Sequence, residues 1–483
     1  MKTLVTDVAI IGAGTAGMGA YRAAKKHTDK VLLIESGSYG TTCARVGCMP
    51  SKLLIAAAER AHDMSTASPF GVSPLGGVQI DGKAVMQRVR DERDRFSGFV
   101  VETVEQFPEQ DKIKGQAKFI DNHTLQVDQH TRISAKRIVI ATGSRPVYPG
   151  FFEAAGERLI VNDDVFNWQD LPKSVAVFGP GVIGLELGQA LHRLGVKTKV
   201  FGIGGSIGPL TDPAIKQKAT EIFAAEYYLD TQTKDVSIAN NDEGVALTYR
   251  NTSGELVEES FDYLLAATGR RPNVDNLDIQ NTDLQLDQFG VPLADPFTMQ
   301  AGQSNIFIAG DASNMLPLLH EATDQGKIAG DNAGRGDFAK AGLRRTPISV
   351  VFSDPQIAMI GMTHSNVMER YGSCDCFASG EVSFENQGRS RVILKNKGML
   401  RVYAEQGTGL FLGAEMIGPA AEHIAHLLAW AVQAKMTVQQ MLDMPFYHPV
   451  IEEGLRTALR DVYANLRFGP AIVEHCIECG PGA

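Results

Sequence analysis

No stretch of this 483-residue chain is apolar for the length of a membrane span, and no basic run is long enough to form a nucleic-acid-binding tract. Acidic residues are in excess: 46 lysines and arginines face 56 aspartates and glutamates, a formal charge of −10. Nucleic acid and membrane are therefore not expected as partners. Low-complexity segments are missing as well. The opening residues, MKTLVTDVAIIGAG, hold one lysine and a short apolar run that passes into glycines without a small-residue cleavage site. They read as a first strand rather than a signal peptide, so a cytoplasmic location is the expectation. Cysteine is scarce, six in all, too few for a disulfide framework in a chain this long. What is present is an ordinary globular balance, 44% hydrophobic and 21% charged, in a length that suits two to four domains.

Two of the six cysteines lie close together in YGTTCARVGCMPSK (39–52), at Cys43 and Cys48. A disulfide needs Cα atoms within about 7 Å. Residues five apart on a regular helix are roughly 8 Å apart. The segment is thus expected to be locally distorted, which Gly47 and Pro50 permit. A helix beginning at SKLLIAAAERAHDM would stabilise a thiolate at its N-terminus. A zinc half-site is the alternative, although zinc usually takes closer spacing and more thiols or histidines, and no metal site is expected.

An internal repeat sets the architecture. VAIIGAGTAGMGA (8–20) is matched by VAVFGPGVIGLEL (175–187). Each is an apolar strand, a G-x-G-x-x-G turn and a helix-like run, with Gly12, Gly14 and Gly17 in the first and Gly179, Gly181 and Gly184 in the second. These glycines allow a tight turn, a close approach to a pyrophosphate and helix-on-strand packing. RIVIATGSRP (137–146) is likewise matched by YLLAATGRRPN (263–273). Two motifs recurring in the same order imply two dinucleotide-binding domains in tandem. Eighteen residues beyond Gly17 stands Glu35, a carboxylate able to accept from a ribose 2′-hydroxyl. Eighteen beyond Gly184 stands Gly202, and no arginine replaces the acid. The carboxylate that would repel a 2′-phosphate is absent there, so a shallow preference for the unphosphorylated dinucleotide is expected, and a glutamate at 202 to sharpen it. A charged amphipathic helix is expected over 83–107. NIFIAGDAS (305–313) ends a third strand at Gly310-Asp311, where the aspartate can reach a cofactor hydroxyl or cap the next helix. Short strands and then helices after residue 345 suggest a separate α+β domain.

DMPFYHPVIEEGLRTALRDVYANL (443–466) supplies a base. Pro449 suits a first helical position, His448 would open that helix, and Glu453 lies five residues on. An imidazole can take a thiol proton and return it. Cys374 and Cys376 read as buried small residues on one side of a strand. The tail 467–483 holds Cys476 and Cys479 at C-x-x-C spacing, open to a redox relay, a metal site or an inert end.

Together, Cys43-x4-Cys48 with GCMPSK, the two dinucleotide units, the ATG strands, Gly310-Asp311 and HPVIEE resemble the flavin-dependent pyridine nucleotide-disulfide oxidoreductases from about residue 5 to 466. Within that family the chain is most similar to the dihydrolipoamide dehydrogenases. Departures are Arg45 in place of the usual Asn, Gly202, FSDPQIA at 352–358, and the tail. The resemblance implies an α/β fold: tandem Rossmann-like FAD and NAD(P) domains and an α+β dimerisation domain. The boundaries expected are 1–150 for FAD, 151–275 for NAD(P), 276–345 for a return to the FAD and central region, 346–466 for dimerisation and 467–483 for the tail. It implies a Cys43–Cys48 redox disulfide, with Cys48 against the flavin and Cys43 meeting substrate. His448 would be the base, oriented by Glu453 and facing the cysteines of the other subunit of a homodimer. FAD contacts are implied at Gly12, Gly14, Gly17, Glu35, Thr42, Lys52, Ala117, Thr142, Gly143, Ser144, Asp311 and Leu319. NAD contacts are implied at Gly179, Gly181, Gly184, Gly269 and Arg270. The implied activity is oxidation of a free or protein-borne dihydrolipoyl group, with an NAD(P)H-dependent reductase of another disulfide as the alternative. His448 and Glu453 match the organic-disulfide branch and disfavour mercuric reductase.

Overall fold

A computed structural model describes residues 1–336 and 338–467; Cys476, Cys479 and the rest of the tail past Arg467 lie outside the described residues. The chain opens with β1 (Lys2–Ile11), α1 (Thr15–Ala24) and β2 (Val31–Glu35), followed by α2 (Thr42–Val46), α3 (Cys48–Ser65) and α4 (Gly82–Glu105). Then come β3 (Lys112–Lys114), β4 (Ala117–Asp121), β5 (Thr124–Val127), β6 (Thr131–Ile140) and β7 (Ser144–Pro146). The first sheet runs β3-β2-β1-β6-β5-β4. Val8 pairs in parallel with Val31 on one side and Arg137 on the other. Val8–Ile11 and Val31–Ile34 are continuous buried runs, as expected of parallel strands covered on both faces.

The second unit repeats the plan. It comprises β8 (Leu159–Ile160), α5 (Asn162–Val165), β9 (Ser174–Phe178), α6 (Val182–Arg193), β10 (Lys197–Phe201), α7 (Pro213–Ala224), β11 (Tyr228–Asp230), β12 (Lys234–Asn241), β13 (Gly244–Arg250), β14 (Leu256–Phe261) and β15 (Tyr263–Ala266). Its parallel sheet runs β11-β10-β9-β15-β8, with β12-β13-β14 as an antiparallel flap. The unit is joined back to the first by β16 (Arg270–Pro272), antiparallel to β7.

β17 (Ile306–Ile308) then returns to the first sheet, parallel to β6. α8 (Leu319–Arg335) lies along α1 at a separation only small residues allow. A Cβ on Gly326 would fall 2.2 Å from the Ala16 carbonyl oxygen, and one on Gly330 2.2 Å from that of Ala20. Gly334 opposes Ala24 in the same way. Three glycines four apart thus face three alanines four apart.

The last unit holds β18 (Ile348–Val351), β19 (Gln356–Gly361), α9 (His364–Tyr371), β20 (Phe377–Ser383), α10 (Gly388–Val392), β21 (Met399–Glu405), β22 (Phe411–Gly418), α11 (Ala421–Gln433), α12 (Val438–Leu442) and α13 (Glu453–Asn465). Its antiparallel sheet runs β18-β19-β22-β21-β20, and every residue of the central β22 is buried. Arg401 and Tyr403 of β21 reach the buried Asp212 that caps α7, locking this unit to the second.

Two expectations change. Cys374 and Cys376 are not on a strand: they sit in the turn between α9 and β20, where Asp375 has φ +52°, and their sulfurs are bonded to each other. α13 begins at Glu453 rather than at Pro449. His448–Pro449 is a cis peptide in the preceding turn, which closes when the Val450 N–H donates to Glu453 Oε2 (3.3 Å). Among the described residues no helix is long and apolar enough to cross a membrane, and no group of three or more His, Cys, Asp or Glu could hold a metal ion.

Candidate active site

The first glycine turn links β1 to α1. Gly12 has φ +107°, and a Cβ there would fall 2.3 Å from the Ala141 carbonyl oxygen, so only glycine fits. Gly17 is pressed as closely on Gly12. Gly14 faces open space at the N-terminus of α1, which no side chain caps. Free N–H groups at a helix start form an anion site. At the end of β2 the Glu35 carboxylate accepts from the Ala13 N–H (2.8 Å) and the Gly37 N–H (2.8 Å), which fixes its aim. Thr142 Oγ1 is buried without a partner among the described residues. Gly143, at φ +69°, faces open space. An open diphosphate cradle, a clamped acid and an orphaned hydroxyl suit a dinucleotide such as FAD.

Asp311 lies beside this turn. Ser144 Oγ donates to Asp311 Oδ2 (2.7 Å). The Gly310–Ser313 turn is held from α8 by Gln325 Oε1, which accepts from the Gly310 N–H (2.9 Å) and the Ser313 hydroxyl (3.0 Å). Nothing in the sequence singled out Gln325. Ala117 is buried on β4, Thr42 is an exposed first residue of α2, and Leu319 is an exposed first residue of α8. His320 Nε2 is buried and unpartnered among the described residues.

The second turn reproduces the first: a Cβ on Gly179 would fall 2.3 Å from the Ala267 oxygen, while Gly181 is open. Gly184 is pressed on Gly179 as Gly17 is on Gly12. Gly269 has φ +135°. Arg270, however, is directed to Ser144: its Nε donates to the hydroxyl (2.9 Å) and an Nη to the carbonyl (2.8 Å). It thereby ties the second unit to the Asp311 side of the first.

Cys43 sits in α2 and Cys48 opens α3, with the helix broken between them at Gly47 (φ −129°, ψ −113°). A Cβ on Gly47 would lie 3.0 Å from the Thr42 carbonyl oxygen. From α5, Asn162 Nδ2 donates to the Val46 carbonyl (2.8 Å) and holds the break. Both thiols are free. They are unequal: Cys48 is drawn down to about 7, chiefly because Cys43 donates to its sulfur and secondly by the Lys52 charge, against burial. Cys43 is pushed up, because it is the donor and because it is buried. The proton of the pair stays on Cys43 and the thiolate forms on Cys48, at the start of an 18-residue helix.

Lys52, one turn along α3, donates to Glu186 of α6 at 2.9 and 2.8 Å. Glu186 is 4% exposed and also accepts from the Phe352 N–H (2.9 Å). An acid within the apolar run GVIGLELG was the sequence signal for this partner. At the other end of the chain His448 Nδ1 lies 3.0 Å from Glu453 Oε2, and Arg456 donates to Glu453 Oε1 (3.2 Å). These contacts pull the Glu453 carboxyl below its ordinary range, His448 first among the causes. Nδ1 is engaged, and the His448 side chain is 81% exposed within one chain.

A family profile described as pyridine nucleotide-disulphide oxidoreductase matches residues 6–326, and that family's dimerisation-domain profile matches 348–459. Mercuric reductase of Shigella flexneri is 31% identical over 93% of this chain and 80% of its own. Dihydrolipoyl dehydrogenase of Geobacillus stearothermophilus is 29% identical over 93% of this chain and 94% of its own. Among solved structures, LpdA of Mycobacterium tuberculosis has a TM-score of 0.78 at 24% identity, covering 94% of this chain and 99% of that one. The HOCl-induced flavoprotein disulfide reductase RclA of Escherichia coli has 0.77 at 23%, covering 95% and 100%. These two share its fold. The chain belongs to the pyridine nucleotide-disulphide oxidoreductases, the flavoprotein family whose members bind FAD and NAD(P).

Proposed function

We propose that the chain is a dihydrolipoyl dehydrogenase: it oxidises the dithiol of a dihydrolipoyl group to its disulfide and reduces a nicotinamide dinucleotide. The observation that carries this is the pair of thiols at Cys43 and Cys48, the second opening α3 beside Lys52, whose charge favours a Cys48 thiolate whether or not Cys43 carries a proton. A thiolate that leaves easily from Cys48 makes Cys43 the sulfur open to attack. His448 accepts one substrate proton at Nε2, its Nδ1 being engaged by Glu453. The substrate thiolate attacks Cys43 Sγ, the Cys43–Cys48 bond breaks and Cys48 leaves as thiolate. The second substrate thiol then displaces Cys43 from the mixed disulfide, closing the substrate disulfide and leaving Cys43 protonated. Bound FAD supplies two-electron transfer from the cysteine pair to the nicotinamide. The balance is dithiol plus NAD⁺ to disulfide plus NADH and H⁺.

The dihydrolipoyl dehydrogenases at 27–29% identity match over nearly their whole length, which supports this substrate class. The exposed His448–Glu453 pair supports a homodimer in which each histidine serves the other subunit's cysteines. The relative at 31% identity favours one second reading, a reductase whose electrons run outward from NAD(P)H to a thiol-bound acceptor. Steady-state rates with dihydrolipoamide and NAD, set against NADPH- or NADH-driven reduction of lipoamide, glutathione disulfide, thioredoxin and Hg(II), separate the two. Dihydrolipoamide oxidation slower than every outward reaction would overturn the first reading.

A further inference from the structure

The chain carries two copies of one nucleotide-binding plan, so each is a control for the other. Ala13 and Glu35 of the first correspond to Pro180 and Gly202 of the second, at the same 18-residue interval from the third glycine. In the first copy the Ala13 N–H donates to Glu35 Oε2 at 2.8 Å. That bond turns the carboxylate toward the turn where a ribose would lie. Pro180 has no N–H to offer. Its ring also fills the space a side chain at 202 would need: a Cβ on Gly202 would fall 2.5 Å from Pro180 Cγ and 2.6 Å from Cδ. A proline ring cannot swing aside as a flexible side chain can. Donor and acid are therefore missing together, and Gly202 is not a vacancy that a glutamate would fill. The sequence-based expectation that Gly202→Glu sharpens NAD selection is corrected on this steric ground.

What remains at the ribose end is neutral or basic. Gly202, Gly205 and Gly208 N–H groups bond the carbonyls of Asp230, Thr231 and Pro180 at 2.7, 2.9 and 2.7 Å, pinning the loop. The N–H groups of Ile203, Gly204 and Ser206 have no partner among the described residues. Gly204 and Gly205 are both left-handed, at φ +70° and +71°, a glycine-only path that exposes backbone donors. The amide of Gln232 comes within 3.4 Å of the Gly205 Cβ position. In the facing segments 202–208 and 231–234 the only charged residue is Lys234. The neighbouring Asp230 is 8% exposed and its carboxylate accepts from the Gln232 N–H (2.9 Å).

We propose that Pro180 and Gly202 are a matched pair that removes selection at the ribose 2′-position, so that this site takes the 2′-phosphorylated nicotinamide dinucleotide as readily as the unphosphorylated one. Gln232 and the free N–H groups of 203–206 receive the 2′-oxygen or its phosphate. Pro180 acts as a specificity-determining residue without contacting the 2′-group. The inference rests on the second glycine turn being the nicotinamide nucleotide site, and not on the choice of disulfide substrate.

The test is made on the FAD-loaded dimer with fragments that do no chemistry. Calorimetry gives Kd for ADP-ribose and for 2′-phospho-ADP-ribose in wild type, Gly202→Glu, Pro180→Ala and Pro180→Ala/Gly202→Glu. Flavin bleaching by NADH and NADPH, without any disulfide, is followed in parallel. Wild type is expected to bind the two fragments within tenfold of each other. Gly202→Glu alone should weaken both by tenfold or more, since its side chain strikes the Pro180 ring. The double variant should regain ADP-ribose binding and disfavour the phosphorylated fragment at least twentyfold. Wild-type discrimination beyond tenfold, or full selectivity from Gly202→Glu alone, overturns the proposal. If the single variant does not fold, the wild-type ratio and the double variant decide. Failure of both fragments to bind, with no bleaching by either nucleotide, would instead overturn the placement of the nucleotide site.

Discussion

Replacing Gly330 of α8 by alanine should loosen FAD and destabilise the protein, although alanine is the better helix former. The new Cβ would meet the Ala20 carbonyl oxygen at 2.2 Å and the Ala20 Cα at 2.5 Å. Both are backbone atoms of α1, so no rotamer relieves the clash. A relaxed carbon–oxygen contact needs about 3.3 Å, so the helices must part by roughly 1 Å. Overpacking of this kind costs about 1–3 kcal/mol, and a backbone collision belongs at the upper end. The helix propensity of alanine returns about 1 kcal/mol, leaving a net loss of about 2 kcal/mol. α1 carries the first glycine turn, so the same displacement moves its free N–H groups away from the diphosphate. Gly98→Ala is the matched control: it also lies in a helix, but nothing is within 4 Å of its Cβ position. That variant should gain about 0.5–1 kcal/mol. Thermal midpoints of both holoproteins, read with bound FAD per chain, check the pair. A Gly330→Ala protein with full FAD and a midpoint at or above wild type would refute the reasoning.

Further outcomes follow from the redox site. In the two-electron-reduced holoenzyme, the long-wavelength absorbance of a Cys48 thiolate should appear as pH rises through about 7 and vanish in Cys48→Ser; in Cys43→Ala, which forms no disulfide and lacks the donor, the same absorbance, read with the flavin still oxidised, should appear only at higher pH. Lys52→Met should also move that midpoint up and Glu186→Gln should move it down, because the lysine charge favours the thiolate and the glutamate charge opposes it; the same absorbance titration reads both. Glu186→Ala takes the carboxylate from Lys52 and leaves the Phe352 N–H without its acceptor, and should lower stability by about 1–3 kcal/mol in a denaturation series. His448→Ala should slow dithiol turnover by about 10²–10⁴-fold while leaving NADH-to-dye transfer near wild type, since the dye needs no thiol proton. Heterodimers of Cys43→Ser and His448→Ala subunits should recover one working site, and verified heterodimers without activity would count against a shared site.

The two glycine turns, the Glu35 strand end and the cysteine distortion at Gly47 were legible because each is fixed by local chain geometry. A turn that tight admits only glycine, and five-residue cysteine spacing conflicts with an unbroken helix. Other features depend on which segment comes to lie against which. Gly326, Gly330 and Gly334 look like helix-weakening residues until α1 is found 310 positions earlier with alanines in register. Arg270 reads as a nucleotide contact from its motif, but pairing of β16 with β7 turns it onto Ser144. Pro449 fits a first helical position by propensity, and the Glu453 acceptor inside the turn overrides it. The meaning of Gly202 needed Pro180 beside it, 22 residues away in sequence and in contact across the sheet end.

The helix that follows the second turn connects that turn to the cysteine pair through Glu186 and Lys52. Gly184 and Glu186 are both on α6, two residues and so about 3 Å apart along its axis. Glu186 is bonded to Lys52, and Lys52 is one turn from Cys48 on α3. A nucleotide seated on Gly179–Gly184 is therefore held by the same rigid helix that fixes the lysine acting on the Cys48 thiolate. In the first unit the helix α1 is backed instead by the glycine face of α8, and the acid Glu35 is held by the Ala13 and Gly37 N–H groups. The two units thus share a plan and differ at its ends: the first has close backbone packing and a fixed carboxylate. The second has a loop at 202–208 without an acid, while its helix α6 supports the lysine beside the cysteine pair. A substitution that tilts α6, such as enlarging Gly188 against Val200 (2.9 Å from its Cβ position), would disturb the lysine and the nucleotide together, whereas one that displaces α1 would act on FAD alone.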